Sequence, residues 1–122
     1  MILPETDALV NGLKVVDLTQ LQPKKTDWLW QDRIPRGCIS VLEGDPGLGK
    51  SLLTVSLAAA VSTGAAVVPG EAPLGKPADV VFLSAEDDIE RTILPRLKVA
   101  GADLSRVHPV SVVREGDDVN DG

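Results

Sequence analysis

A loop of glycines set between two apolar runs constrains this chain more than any other feature. It lies in Ser40–Val61, SVLEGDPGLGKSLLTVSLAAAV. Within it, Gly44-Asp45-Pro46-Gly47-Leu48-Gly49-Lys50-Ser51 satisfies every fixed position of G-x-x-x-x-G-K-[ST]. The glycines admit backbone conformations closed to residues with a Cβ and let the main chain approach a phosphate. Amides of such a loop point inward as an anion nest. A helix starting behind it adds the positive end of its dipole. Lys50 brings a mobile positive charge to the β- and γ-phosphates, and Ser51 brings a hydroxyl for Mg²⁺. Chance matches to the pattern occur in unrelated chains. Its place between a predicted strand and a predicted helix is the context the motif requires.

Those neighbours read as follows. Cys38–Leu42 is β-rich and bounded by Gly37 and Gly44, which predicts a strand. Gly49–Thr63 predicts a helix apolar on most faces, hence buried all round, with Gly64 as its stop. Ala65–Pro77 holds Gly70, Gly75, Pro69, Pro73 and Pro77 and is expected to be a loop. The continuous apolar run Val80–Leu83 predicts a strand buried on both faces. Asp87, with Glu90 three residues on, fits a capping box for a second helix. Ile89, Ile93 and Leu97 give that helix one apolar stripe, Pro95 should kink it or leave one carbonyl unpaired, and Gly101 should end it. Val110–Val113 is a third candidate strand. Strand, helix, strand, helix, strand is an α/β order, with a parallel sheet and right-handed crossovers.

Residues 1–26 read as a mixed leader with one apolar patch, LKVVDL. Residues 27–113 form the expected core, and 114–122 an acidic polar tail. The 122 residues suit one small domain, and 43% apolar content is enough to bury a core. A net charge of -6 argues against coating nucleic acid through bulk charge. Cys38, the single cysteine, excludes an intrachain disulfide and a cysteine-built zinc site, and is expected to be a small buried hydrophobe. The N-terminus has acids early and no basic start before an apolar run, unlike a signal peptide. Leu52–Val61, the most apolar window, is far shorter than the roughly 20 residues a membrane span needs. A soluble, cytoplasmic chain is expected.

Val80–Asp88, VVFLSAEDD, ends an apolar strand in three acids. One reading is a Walker B element ordering the water around Mg²⁺, with Ser84 and Ala85 intervening. Another makes Glu86 the general base that orients and deprotonates an attacking water. A third leaves Asp87 or Asp88 as a helix cap. Ligands of open α/β sheets sit at the carboxyl ends of the strands, which favours Glu86 facing the phosphates.

Taken together, IPRGCISVLEGDPGLGKS, VVFLSAEDD and LPRLKVAGADLSRV resemble the RecA-like ATPases of the RepA and DnaB type, often called AAA family ATPases of phage, plasmid and actinobacterial replication regions. The resemblance covers roughly Trp28 to Val113. It implies a P-loop NTPase fold, a RecA-like three-layer sandwich with a mostly parallel sheet. Gly44, Asp45, Pro46, Gly47, Leu48, Gly49, Lys50, Ser51 and Leu52 would line ATP, with Ser51 on Mg²⁺. Lys50 and Glu86 would be the catalytic pair. Members form rings, commonly hexamers, and couple ATP hydrolysis to movement on single-stranded DNA. Such domains carry a Walker B aspartate on a later strand, DNA-contacting loops and an arginine finger. REGDDVNDG has no apolar strand before its acids, so the chain is expected to be the first part of such a domain. DNA contact and ring formation would then use regions outside it. The alternatives are a nucleotide-binding module without turnover and a small-molecule kinase, which would need a lid and substrate arginines.

Other residues carry plainer expectations. Trp28 and Trp30 should pack over a sheet edge rather than stack on adenine. Lys24, Lys25, Arg33 and Arg36 should form a solvated basic face. His108, next to Pro109, should lie at a surface or strand edge. Arg91 and Arg96 on the second helix should make ordinary surface pairs.

Overall fold

The computed structural model describes residues 8–84 and 88–110. It opens on a hairpin of β1 (Ala8–Val10) and β2 (Leu13–Val15), in which Val10 opposes Leu13. Asn11 and Gly12 turn the chain with φ of 51° and 79°. Left-handed angles at both central residues match the right-handed twist of the strands, so Asn-Gly is a strong hairpin pair. The leader therefore holds a hairpin that its one apolar patch did not announce. A 3-10 turn over Leu18–Gln20 follows, and the Asp17 carboxylate caps it by accepting from the Thr19 amide at 3.0 Å.

A second hairpin pairs β3 (Trp28–Trp30) with β4 (Ile34–Pro35). Asp32 takes a φ of 62° at its tip, in the left-handed region that aspartate tolerates better than most residues. The chain then runs exposed from Arg36 to Leu48. This corrects the strand expected at Cys38–Leu42. Those residues pair with nothing in a ladder, and Ile39 and Val41 are 95% and 78% exposed. β propensity makes a strand only where a partner lies alongside. Cys38 is likewise exposed rather than buried.

Helix α1 (Lys50–Thr63) runs between two left-handed glycines, Gly49 and Gly64. Gly64 is fixed twice over: its φ is 75°, and a Cβ there would collide with the Gly75 carbonyl oxygen. One side of α1 is buried, through Val55, Ala58, Ala59, Ala60 and Ser62. Leu52 is 55% exposed, so burial on every face does not hold among the described residues. The connection after α1 is a loop, as expected. It is pinned at its base where the Gly75 amide donates to Gly64 O and the Leu74 amide to Ala65 O, each at 3.1 Å.

β5 (Val80–Leu83) and β6 (Val107–Val110) lie parallel, Val80 opposite Val107 and Leu83 opposite Val110. β6 begins three residues before the expected strand, and 111–113 lie outside the described residues. Among the described residues β6 pairs on one side only, the edge setting in which a proline's missing N–H is tolerated. β5 alternates rather than burying both faces. Val80 and Phe82 pack on the core, while Val81 and Leu83 are 72% and 67% exposed.

Between the parallel strands, a π-helical turn (Ile89–Ile93) passes into α2 (Leu94–Val99). Asp88, not Asp87, is the cap, accepting from the Arg91 amide at 2.9 Å. Pro95 cannot donate to the carbonyl four residues back. The expected irregularity appears as the wide turn just before it, where the Leu94 amide reaches back five residues to Ile89 O. α2 ends as expected at Gly101, with paired bonds from the Gly101 amide to Lys98 O and the Ala102 amide to Leu97 O. Val55 and Ala58 of α1, Ile93, Leu97 and Val107 close the core, with Val80, Phe82, Ile89 and Ala102 around them. Ser62, fully buried, ties α1 to the far end of α2. Its Oγ donates to Ala59 O at 3.1 Å and accepts from the Asp103 amide at 3.0 Å.

From α1 onward the expected helix, strand, helix, strand order holds, with one parallel pair, but the strand expected ahead of α1 is not formed among the described residues. The mostly parallel sheet is not formed either: the described residues hold three two-stranded sheets, two of them antiparallel hairpins. Within these residues no longer sheet is assembled for further layers to cover.

Candidate phosphate-binding site

The glycine loop projects from the exposed arm into the start of α1. Gly47 and Gly49 have φ of 85° and 87°, and a Cβ at either would meet nothing within 4 Å. Glycine is demanded there by backbone conformation, not by crowding. The Leu48 amide approaches Asp45 O at 3.4 Å, folding Asp45–Leu48 into a turn. Gly49 is the N-cap of α1 and offers no side-chain acceptor, so the amides of the first turn keep their donors for something else. The first helical bond inward runs from the Leu53 amide to Gly49 O at 3.0 Å.

Lys50, the first residue of α1, folds back over the loop, and its Nζ donates to Gly44 O. The ammonium thus lies against the backbone at the first glycine of the loop. Ser51 is exposed on the first turn, and Leu52 follows it into solvent. Asp45, Pro46 and Leu48 are exposed along the rim. Uncapped backbone donors, one cation and an exposed hydroxyl therefore lie on consecutive residues at the start of α1. That set suits a polyanion approached by several amides at once. It also fits a metal-bound phosphate, with Ser51 as the protein oxygen for Mg²⁺. Among the described residues no group of three or more His, Cys, Asp or Glu could hold a metal ion by itself.

Glu86, the expected base, and Asp87 lie outside the described residues. Asp88 is placed, and its carboxylate is engaged as a cap.

The remaining expectations divide. Lys24, Lys25, Arg33 and Arg36 are all exposed, but the two arginines are paired as well as solvated. Arg33 ion-pairs with Glu71 at 2.9 Å and lies 4.6 Å over the Trp30 ring, while Arg36 reaches Asp27 at 3.7 Å. Trp30 is buried, and its Nε1 donates to Glu71 Oε2 at 2.8 Å. The indole N–H, with Arg33 behind it, holds the Glu71 carboxyl below the usual range against partial desolvation. His108 sits exposed on β6 and faces Asp79 at 3.9 Å. Arg91 and Arg96 are exposed. Glu71 is the residue that sequence reasoning passed over, because nothing in GEAPLG marks one acid of a turn as a partner for a tryptophan 41 positions away.

No described helix is long and apolar enough to cross a membrane. Neither the curated proteins nor the solved structures compared with the chain include a match. The AAA domain family matches over residues 4–120, which spans the glycine loop, the acidic cluster and both hairpins. A match of that extent makes this an ATP-binding domain of the P-loop NTPase kind.

Proposed function

The chain belongs to the AAA domain family, and from that premise we propose that it binds Mg-ATP at Gly44–Ser51 as the nucleotide-binding part of a DNA-linked ATPase. One observation carries the reading. The first turn of α1 has no side-chain cap, the loop ahead of it holds two left-handed glycines, and the Lys50 ammonium folds back onto Gly44 O. In this reading the loop amides and Lys50 hold the β- and γ-phosphates, with Leu52 at the margin. Phosphoryl transfer asks mainly for positioning and charge stabilisation, which amides and an ammonium supply. Bound Mg²⁺ would neutralise charge on the phosphates, with Ser51 as its ligand. Glu86 would accept the proton of the attacking water.

The DNA link rests on the resemblance to RecA-like replicative ATPases of the RepA and DnaB type. With it come single-stranded DNA as partner, a hexameric ring, a three-layer sandwich in the assembled protein and a cytoplasmic setting. A second reading, nucleotide binding without turnover, is favoured by the unpaired state of Ile39–Leu42 and the two-stranded extent of the parallel sheet among the described residues. A small-molecule kinase draws no such support.

Calorimetry of Mg-ATP binding, run beside phosphate release with and without single-stranded DNA, tests both. Binding with DNA-stimulated release is the expected result for the first reading. Binding with no release selects the second, and no binding refutes the site.

A further inference from the structure

The phosphate loop has little to hold it directly. Every residue from Arg36 to Leu48 is exposed, and Ile39–Leu42 pair with no strand among the described residues. Such a segment is positioned by its two ends. One end is α1, anchored in the core by Val55 and Ala58. The other is the β3–β4 hairpin, which immediately precedes the arm.

The hairpin is fastened through one carboxylate. Glu71 Oε2 accepts from Trp30 Nε1 at 2.8 Å, and Glu71 Oε1 accepts from Arg33 Nη1 at 2.9 Å. The Arg33 guanidinium lies 4.6 Å over the Trp30 ring, so all three side chains contact one another. Glu71 itself stands on a braced loop: its amide donates to Val68 O at 3.1 Å, and the Ala78 amide returns to Val61 O at 2.9 Å. The clasp therefore joins the chain before the phosphate loop to the chain after α1. It encloses both in one tethered circuit. Closing a circuit of this length restricts where its free middle can go, as any cross-link does.

We propose that Glu71 is a positioning residue for the phosphate loop, and that nucleotide binding in turn tightens the Trp30–Arg33–Glu71 clasp. The inference rests on the nucleotide reading of Gly44–Ser51. Its second half follows from linkage: if the closed clasp favours the competent loop, a ligand of that loop must favour the closed clasp by the same factor. A purely structural clasp would lack this coupling.

The chain carries its own probe. Its two tryptophans, Trp28 and Trp30, are both on β3, so intrinsic emission reports this hairpin alone. Mg-ATP is titrated into the 122-residue chain while emission and calorimetric affinity are followed in parallel, in wild type, Glu71→Gln and Arg33→Met. Glu71→Gln keeps an acceptor for the indole but loses the charge, and Arg33→Met keeps an apolar stem over the ring. A failure of either to fold leaves the other as the test. In wild type, Mg-ATP should move the emission to the blue. Each variant should emit further to the red, bind Mg-ATP about five- to tenfold more weakly and show a reduced shift. Wild-type binding with no change in emission, together with unaltered affinity in the variants, overturns the inference alone. So does a lowered unfolding midpoint with affinity and emission response intact. No binding by the wild type overturns the nucleotide reading and this inference with it.

Discussion

Three glycines in one loop should respond differently to the same substitution. Gly47 and Gly49 both hold φ near +86°, at 85° and 87°, and a Cβ at either has open space. An alanine there costs about 1–2 kcal/mol of backbone energy, with no steric addition. Where that cost appears depends on what holds the residue. Gly49 is the N-cap of α1 and cannot relax without unwinding the first turn, so its strain belongs to folding. Gly47 sits in the exposed arm. It can relax in the free protein and must return to the left-handed region when ligand binds. Gly47→Ala should therefore weaken Mg-ATP binding about 5- to 30-fold while leaving the urea midpoint in place. Gly49→Ala should lower that midpoint. Gly44 has no such angle, and its Cβ would meet only the ends of Leu48 and Lys50, at 3.4 and 3.8 Å. Gly44→Ala should be the mildest of the three. Calorimetry and urea titration of the three variants make the comparison. An affinity loss larger for Gly44→Ala than for Gly47→Ala would refute the strain account.

Lys50→Ala should abolish or severely weaken Mg-ATP binding, and near-normal affinity by calorimetry would remove the loop assignment. Glu86→Gln should keep nucleotide affinity and stop phosphate release wherever the parent turns over; undiminished turnover would leave Glu86 a structural acid. Ser62→Ala should destabilise the fold by about 1 kcal/mol in urea titration, because the part-buried Asp103 amide loses its acceptor. Acid should act through Asp17, Glu71 and Asp103, whose carboxyls are held below their ordinary values by Thr19, Trp30 and Ser105 respectively. A depressed carboxylate contributes stability that is complete above its ordinary value, 4.5 for the glutamate, and is lost as pH falls through the lower folded value. Urea midpoints should hold down to that range and then drop. A midpoint that rises on acidification would contradict the sign.

The glycine loop, α1, β5, the Pro95 irregularity and the Gly101 stop were legible because each is governed by local geometry. Gly49 and Gly64 bracket α1 through backbone angles that a sequence displays directly. Elements set by a distant partner were not. Ile39–Leu42 has the composition of a strand, but composition carries no partner. Cys38 followed that arm into solvent. The Asn11-Gly12 turn could have been read, since left-handed angles at two successive positions are what that pair supplies. Glu71 could not, because a bond across 41 residues leaves no periodic trace. Within the loop, Gly49 and Lys50 occupy fixed positions of the motif, whereas the left-handed angle at Gly47 falls on a variable one. The sharing of two hairpin side chains by one acid did not follow from the motif.

Among the described residues β5 pairs only with β6, and its open side has a colloidal consequence. Val81 and Leu83 border a cleft of about 300 Å³ with Leu57 and Val61 of α1, and elsewhere on the surface Ile39 and Val41 are exposed. An unpaired strand edge flanked by aliphatic surface is adhesive toward any extended chain, including another copy. The opposing influence is the net charge of -6, which keeps like molecules apart only as far as the ionic atmosphere allows. Added salt shortens that reach while leaving the aliphatic seam untouched. The protein should therefore be best dispersed when dilute and at low ionic strength, and each increment of salt should raise the rate at which encounters between copies become permanent.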